Sequence, residues 1–358
     1  MWHVASIHRI GRYAATVAAT ALAVSATSAS AQETYELSGD PAAVWNLAGV
    51  VTVAGGSSVL TVEVKRGGAD AGRLEVATGA IDLDRDGVQR VDALRVVYPS
   101  DEIAYDGGST ELHVLDDGTF FRGGRDQGRK VKIREDGGGI DAYADLDIRI
   151  PNGRTVRIYL AAGEVTVSNV DGDLMVSAGS ADIRSSGTSG QLALDTGSGN
   201  VTLDGAQGDL MLDTGSGDVV ARNVSAGDLT VDTGSGDVTG TDITVNELNV
   251  DTGSGDVGLQ GVEVMEVLVD TGSGDVEIAF GSSPSEVSVD TGSGDVTLGF
   301  PSSWESSVEL DTSSGDIHSD FRLTVEEMHD DYVKGRVGTG GGSLEVDTGS
   351  GDIRLNQL

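Results

Sequence analysis

The motif Asp-Thr-Gly-Ser-Gly-Asp recurs along the chain and constrains its fold more than any other feature. It occurs six times in full, and near-copies span residues 195–200 and 311–316. The first aspartates of successive copies are 18, 19, 19, 19, 20, 21 and 36 residues apart. A fixed period repeated this often is typical of a fold in which one structural unit is stacked on the next. The full copies begin at Asp213, Asp232, Asp251, Asp270, Asp290 and Asp347.

Each copy lies between two short stretches in which apolar and polar residues alternate. In the copy that begins at Asp232, Leu229 and Val231 precede the motif and Val238 follows it. A period of two predicts half-buried strands, with the Leu, Val and Thr side chains facing inward and both aspartates facing outward. Between the strands, Gly-Ser-Gly is expected to supply the unusual backbone angles of a tight corner.

A single unit of this kind is too short to bury its own apolar face. Parallel stacking, with neighbouring units about 4.8 Å apart, would create one continuous core and pair every backbone with the next. The repeat therefore predicts an all-β fold, a parallel β-solenoid with rungs of roughly 19 residues, and we expect it to coil to the right. Helices are disfavoured, because the recurring glycines would leave helical segments of only about ten residues, rich in β-branched side chains.

The beginning of the chain is typical of a secretory signal peptide. Met1–Ala31 has a basic start, a short apolar run over 13–24, and the cleavage pattern Ala-Ser-Ala at 29–31. The apolar run is too short for a stable membrane anchor, and no other stretch predicts a membrane span. We therefore expect an exported protein, located in the periplasm, on the cell surface or in the medium.

The repeat pattern divides the remaining chain into two regions. Residues 32–144 show blurred strand-like stretches and are interpreted as irregular N-terminal rungs and a cap, with a separate small β domain as the alternative. Residues 145–358 form the regular solenoid. The last spacing of 36 residues predicts one rung with an inserted loop over 326–342.

The charge of the chain limits its partners. Without the signal peptide there are 58 acidic and 21 basic residues, a formal net charge of −37. Such a chain is not expected to bind nucleic acid or anionic membrane surfaces, because both are polyanions. It suits divalent or polycationic partners. There is no cysteine, so disulfides and thiol chemistry are absent.

The repeated aspartates predict two ladders of carboxylates along the solenoid. Like charges on neighbouring rungs would lie about 5 Å apart, which costs on the order of 1 kcal/mol per pair even in water. Two interpretations remain open: the side chains are solvated or accept hydrogen bonds from turn N–H groups, or Ca²⁺ or another hard cation bridges them. No cofactor other than Ca²⁺ is predicted. The candidate cation ligands are Asp213, Asp218, Asp232, Asp237, Asp251, Asp256, Asp270, Asp275, Asp290 and Asp295.

No catalytic residue is predicted. Aspartic proteases share Asp-Thr-Gly-Ser, but their mechanism needs two such loops facing each other, whereas here the motif recurs in register. Sugar-cleaving solenoids need unique acids and aromatic residues in a cleft. The aromatic residues of the repeat region suggest no cleft.

Three segments together resemble one bacterial family. They are VWNLAGVVTV near the start, the tandem LxVDTGSGDV rungs, and the ending VGTGGGSLEVDTGSGDIRL. They are similar to the family of proposed bacterial adhesins classed as domain of unknown function 4097, over essentially the whole mature chain. The resemblance implies a parallel β-solenoid in the bacterial envelope. It implies no catalytic residues, because the family has none that are established.

Together these features predict an exported, adhesin-like, non-enzymatic scaffold or binding protein of the bacterial cell envelope. Its partner would be an envelope component, a glycan or a protein. The alternative is a cation-dependent protein that binds or modifies polysaccharide. An exposed aromatic platform would favour a glycan ligand, whereas smooth polar strands would favour a scaffold.

Overall fold

The computed structural model describes residues 32–83, 90–121 and 127–358, and the predicted signal peptide at Met1–Ala31 lies outside them. The described residues form thirty β-strands and one 3-10 helix at Ala71–Arg73. The strands make one sheet of 26 strands and one of four. The predicted all-β solenoid is therefore confirmed, while its handedness stays a prediction. The described part of the chain has no helix with the length and hydropathy of a membrane span.

The N-terminal strands vary in length from two to 18 residues. They are β1 (Gln32–Leu37), β2 (Ala42–Ser57), β3 (Leu60–Gly67), β4 (Glu75–Asp82), β5 (Arg90–Val97), β6 (Glu102–Ala104), β7 (Thr110–Val114), β8 (Arg129–Arg134), β9 (Ile140–Asp141), β10 (Tyr143–Pro151), β11 (Arg154–Ser168) and β12 (Gly172–Ser189).

From β13 onward the strands are shorter, with three to seven residues each. They are β13 (Leu192–Thr196), β14 (Val201–Gln207), β15 (Leu210–Thr214), β16 (Val219–Ser225), β17 (Asp228–Thr233), β18 (Val238–Thr244), β19 (Glu247–Thr252), β20 (Val257–Glu263), β21 (Glu266–Thr271), β22 (Val276–Phe280), β23 (Glu286–Thr291), β24 (Val296–Phe300), β25 (Ser306–Thr312), β26 (Ile317–Ser319), β27 (Leu323–Met328), β28 (Tyr332–Val337), β29 (Ser343–Thr348) and β30 (Ile353–Gln357).

The solenoid is built of rungs, each a pair of strands joined at a Gly-Ser corner or one long bent strand. Strands two apart in the chain pair in parallel, so that β15 lies between β13 and β17, and β16 between β14 and β18. The register places equivalent residues side by side: Asp213 pairs with Asp232, and Thr214 with Thr233. Inward columns of Leu and Val are almost fully buried, as the alternation predicted.

The N-terminal end of the stack draws its strands from distant parts of the chain. The long strand β2 pairs in parallel with β11 along twelve residues. Its other edge is covered in two halves, by β5 and by β10. Antiparallel partners then cover these strands: β4 pairs with β5, β3 with β10, and β1 with β3. The four-stranded sheet β6–β9 packs beside this end, where the indole N–H of Trp45 donates to the carbonyl of Phe120 at 3.2 Å.

At the C-terminal end the order of the rungs in space differs from their order in the sequence. Strand β29 pairs with β23 on one side and with β25 on the other, both in parallel. The last rung, β29 and β30, is thus inserted between two rungs that precede it in the chain. Asp347 therefore lies between Asp290 and Asp311, and the aspartate rows do not follow the order of the sequence at this end. The rungs that begin with β25 and β29 have the same pattern of inward apolar residues, so the repeat alone could not show which of them lies next to β23.

The outer edge of β25 is covered by a hairpin. Strand β28 pairs with it antiparallel, and β27 pairs antiparallel with β28. The hydroxyl of Tyr332 and the ammonium of Lys334, both on β28, donate to the carboxylate of Glu309 at 2.9 and 2.6 Å. Residues 338–342 then lead the chain back to β29. Parallel strands at both ends of the stack are thus covered by antiparallel ones, which protects exposed sheet edges.

The glycines of the corners are needed for a different reason from the one predicted. They do not have the positive φ angles expected of a tight corner. Instead, successive corners approach very closely: a Cβ on Gly236 would lie less than 3.0 Å from the carbonyl oxygen of Gly217 on the preceding rung. The same holds for Gly255 against Gly236. Glycine is required because the stacked backbones leave no room for a side chain.

Candidate functional site

The repeated threonines hold the corners of the solenoid together. Thr233 is 1% exposed. Its hydroxyl donates to the carbonyl of Gly217 on the preceding rung, at 3.1 Å, and accepts the N–H of Gly236, at 3.0 Å. The same pair of bonds recurs for seven further threonines of the repeat: Thr196, Thr214, Thr252, Thr271, Thr291, Thr312 and Thr348. The hydroxyls therefore satisfy backbone groups that the corner would otherwise leave buried without a partner.

The second aspartate of each motif forms a ladder of side-chain to backbone hydrogen bonds. The Oδ1 atom of Asp218 accepts the N–H of Asp237 at 3.1 Å, and that of Asp237 accepts the N–H of Asp256 at 3.0 Å. The ladder begins at Asp182 and ends at Asp316. In spatial order its members are Asp182, Asn200, Asp218, Asp237, Asp256, Asp275, Asp295, Asp352 and Asp316. One oxygen of each carboxylate from Asp182 to Asp352 in this spatial order thus serves the fold, as the first of the two interpretations expected.

The first aspartate of each motif forms another row of carboxylates, on the other side of the corner. Within the described residues, no protein group donates a hydrogen bond to the carboxylate of Asp232, Asp251 or Asp270. Partial burial, followed by the charges of Asp232 and Asp270, raises the pKa of Asp251. The pKa values of Asp213 and Asp347 are raised for the same two reasons. This row carries uncompensated negative charge.

The structure places all ten candidate cation ligands in these two rows. Those of the second row, Asp218, Asp237, Asp256, Asp275 and Asp295, hold the backbone of the next rung; those of the first row, Asp213, Asp232, Asp251, Asp270 and Asp290, do not. Among the described residues, no three His, Asp or Glu side chains converge in a way that could hold a metal ion. Cation binding by the ladders stays a prediction.

On the six rungs that begin with β13, β15, β17, β19, β21 and β23, the outward face of the first strand carries a neutral stripe between acidic residues. We call this outward face, with its neutral stripe and the acidic rows beside it, the striped face. Met211 and Leu268 are its most exposed apolar side chains, at 49% and 48%. The stripe comprises Ala193, Met211, Thr230, Asn249, Leu268 and Ser288. One flanking row is the first-aspartate row, and the other comprises Asp228, Glu247, Glu266 and Glu286. A shallow groove of about 380 Å³ begins at its N-terminal end.

A second depression lies where the loop before β7 meets the corners of the first rungs. We call it the tyrosine cleft. Tyr105 and Tyr143 line it, with their ring centroids 5.7 Å apart and tilted by 47°. Sequence reasoning missed this cleft, because its residues lie outside the repeat and come together only through the packing of two separate segments.

The aromatic residues of the C-terminal rungs belong to the core. Phe280, Phe300 and Trp304 stack inside the solenoid, with centroid distances of 4.8 and 3.9 Å. All three are at most 2% exposed. They cannot serve as a platform for a sugar.

These features define a β-solenoid repeat protein with a strongly acidic outer surface. The family model described as Toastrack DUF4097 matches residues 144–356, which is more than half of the chain. The chain belongs to this family.

Comparison with individual proteins adds little to this assignment. A solved structure of a proposed cell adhesion protein from Clostridium sporogenes is 12% identical, and the alignment covers 92% of this chain and 99% of that one, with a TM-score of 0.21. No curated protein matches the chain at a significant level.

Proposed function

We propose that the chain is an exported, non-enzymatic, adhesin-like scaffold of the bacterial cell envelope, and that the striped face is its contact surface. The observation that carries the proposal is the form of this face. It is a regular parallel sheet surface on which Met211 and Leu268 are exposed, with Thr230 and Asn249 between them and an acidic row on either side. Around Met211 the apolar surface is continuous, because the groove there is also lined by Met175, Ala193 and Leu210. Contiguous apolar surface rimmed by charged residues is typical of protein interaction sites.

The non-enzymatic part of the proposal rests on the use made of the repeated polar groups. The threonine hydroxyls and one oxygen of each second aspartate are bonded to backbone groups of neighbouring rungs. These hydrogen bonds give the repeated polar groups a structural role, which explains why they recur without invoking catalysis. The first aspartates of the motifs form a regular row, whereas acid–base catalysis needs groups whose environments push their pKa values apart.

Export is supported by the predicted signal peptide at Met1–Ala31, which lies outside the described residues. We expect the protein in the periplasm, on the cell surface or in the medium, cleaved before Gln32. Cell fractionation with N-terminal sequencing tests this part. A chain that keeps its first 31 residues and remains in the cytoplasm would contradict it.

A binding experiment tests the contact surface. Beads coated with the mature protein are mixed with isolated envelopes, and retention is compared between the unchanged chain and the double variant Met211→Glu/Leu268→Glu. We expect the double variant to lose most of the retention. The control is Val59→Glu, whose side chain is 42% exposed in the turn between β2 and β3. Equal retention of all three proteins would remove the striped face from the proposal.

The alternative, a cation-dependent protein that binds or modifies polysaccharide, has one structural observation in its favour. The ring pair Tyr105–Tyr143 lines a cleft, and aromatic rings are the platform that a sugar ligand would need. That role would belong to the tyrosine cleft and not to the ladders. It is included among the outcomes tested for that cleft below.

A further inference from the structure

The tyrosine cleft is an open depression lined by the loop before β7 and by the corners of the first rungs. It has two adjoining chambers of about 720 and 510 Å³, which share Val50, Tyr105 and Gly107 in their walls. One chamber is walled by Tyr143 and Asp145 of β10, and the other by the corners of the rungs β11 and β12. Val50 is 40% exposed there and adds an apolar floor.

Both rings are held in place by glycines. A Cβ on Gly107 would lie less than 3.0 Å from the ring of Tyr105, and one on Gly67 would lie as close to the ring of Tyr143. The backbone therefore packs directly against each ring. Rings fixed in this way lose little conformational entropy when a ligand binds, which favours binding.

The charge around the rings is strongly negative. The walls of the two chambers carry one guanidinium, that of Arg184, and six carboxylates: Asp106, Glu135, Asp141, Asp145, Glu164 and Asp182. Arg184 is itself paired, with Glu164 and with Asp182, the latter at 3.1 Å. Its charge is thus already neutralised at the rim.

The surrounding carboxylates also affect the pKa of the Tyr105 hydroxyl. Burial is the largest cause of a rise in the pKa of Tyr105 to about 12, and the charges of Asp145 and Glu164 add to it. The phenol is neutral at physiological pH, as it would also be at the ordinary tyrosine pKa of about 10. A neutral ring with an electron-rich face, surrounded by carboxylates, attracts positive charge.

We propose that the tyrosine cleft binds an organic cation: an ammonium group that carries methyl or other carbon substituents. The two tilted rings and Val50 would contact the carbon substituents, while Asp145 and Asp106 would balance the charge. A bare metal ion fits less well, because the chambers are wide and partly apolar. A neutral sugar would leave the surplus negative charge uncompensated.

The experiment is a titration of the mature protein with tetramethylammonium and with choline, followed by ligand-observed NMR. Sodium chloride at equal ionic strength controls for screening, and a neutral trisaccharide of N-acetylglucosamine probes the sugar alternative. We expect saturable binding of both ammonium ions. Phosphocholine is expected to bind more weakly than choline, because its phosphate would meet the carboxylates.

Variants connect the binding to the cleft. Tyr105→Leu and Asp106→Asn should each weaken tetramethylammonium binding, the former by roughly tenfold. Tyr105→Phe keeps the ring and should retain most of the affinity, which also guards against a folding defect in the leucine variant. The control is Tyr332→Leu, a tyrosine of the β28 hairpin outside the cleft.

Two results would overturn the proposal. One is ammonium binding that sodium chloride abolishes and Tyr105→Leu leaves unchanged, which would mean attraction to the acidic surface as a whole. The other is binding of the trisaccharide without binding of tetramethylammonium, which would make the cleft a sugar site. Neither result bears on retention by the striped face, so the two proposals fail independently.

Discussion

At the scale of single residues, the most demanding positions are the glycines of the corners. The repeat spaces Gly217, Gly236 and Gly255 one rung apart, and each backbone approaches the carbonyl oxygen of the one before. A methyl group at any of them must push two rungs apart. Because the rungs are paired along both strands, this displacement would disturb hydrogen bonds on each side.

We expect Gly236→Ala to lower the free energy of unfolding by about 3 kcal/mol, in the upper part of the range for an overpacked interior. Gly258 on β20 offers a matched control, since a Cβ there meets no atom within 4 Å. Gly258→Ala should raise stability by roughly 0.5 kcal/mol, because alanine restricts the unfolded chain. Urea unfolding of both variants measures the difference. Similar stabilities would contradict the close-approach argument.

The raised pKa of Asp251 gives a prediction about pH. Its carboxyl binds a proton more readily in the folded chain than in the unfolded one, so the fold gains stability as pH falls. That gain is lost again as pH rises through the folded pKa. Asp251→Asn, which is neutral at every pH, should therefore melt above the unchanged protein at pH 7, and the gap should shrink towards about pH 4.

Glu111 provides a control of opposite sign. A hydrogen bond from Lys130 is the main cause that lowers the pKa of Glu111, so its charged form stabilises the fold. Glu111→Gln should melt below the unchanged protein at pH 7, with the gap closing in acid. If both variants shifted the melting temperature in the same direction at neutral pH, the electrostatic explanation would be wrong.

At the scale of elements, the C-terminal end shows how a repeat can be assembled out of order. Strands β25 and β29 both present Val or Leu inward and end in Asp-Thr. Either could follow β23. The β27–β28 hairpin decides between them in the folded chain, because it occupies the outer edge of β25 and leaves only the inner edge for β29.

Engineered disulfides test this order directly, since the chain has no cysteine of its own. Ser288 and Glu345 are partners on neighbouring strands, and so are Glu345 and Glu309. Cysteines at 288 and 345 should form a bond on oxidation. Cysteines at 288 and 309 should not, because two rung spacings of about 4.8 Å exceed the reach of a disulfide. Mass spectrometry of the oxidised proteins distinguishes the two arrangements.

At the scale of the whole molecule, charge is the dominant property. Both aspartate rows place like charges on adjacent rungs, and the charges repel each other. In the second row, hydrogen bonds from backbone N–H groups offset part of this repulsion. A formal net charge of −37 over residues 32–358 favours solubility and destabilises the compact form. Cations in solution should therefore stabilise the fold. Whether one cation stabilises it more than the others distinguishes binding from screening.

A thermal melt followed by circular dichroism tests the predicted cation ladder. Equal, small increases in melting temperature with Ca²⁺, Mg²⁺ and a matched concentration of sodium chloride would mean that salt screens the rows. A much larger increase with Ca²⁺ alone would mean that the ladders bind it, since a ligand of the folded state raises stability. The structure favours the first result, because one oxygen of Asp218 and of its equivalents is already bonded to the backbone.

Much of the fold was predictable because its information is local. The alternation of apolar and polar residues within one strand determines which side chains face inward. It was enough to predict that Leu229, Val231 and Thr233 are buried. The candidate site was less accessible. The striped face could be derived from the same alternation, but the tyrosine cleft joins Tyr105 to Tyr143 across 38 residues with no repeat between them.

The sequence by itself determined the solenoid, the two-strand rung and the outward position of both aspartate rows, because each depends on a period that every copy repeats. Only the tertiary structure decided the order of the last rungs, the reason for the corner glycines, and the existence of the cleft. Rungs with the same pattern of inward side chains would pack almost equally well at any position in the stack. The choice among those positions therefore rests on the strands that cover the ends and on the loops that connect them.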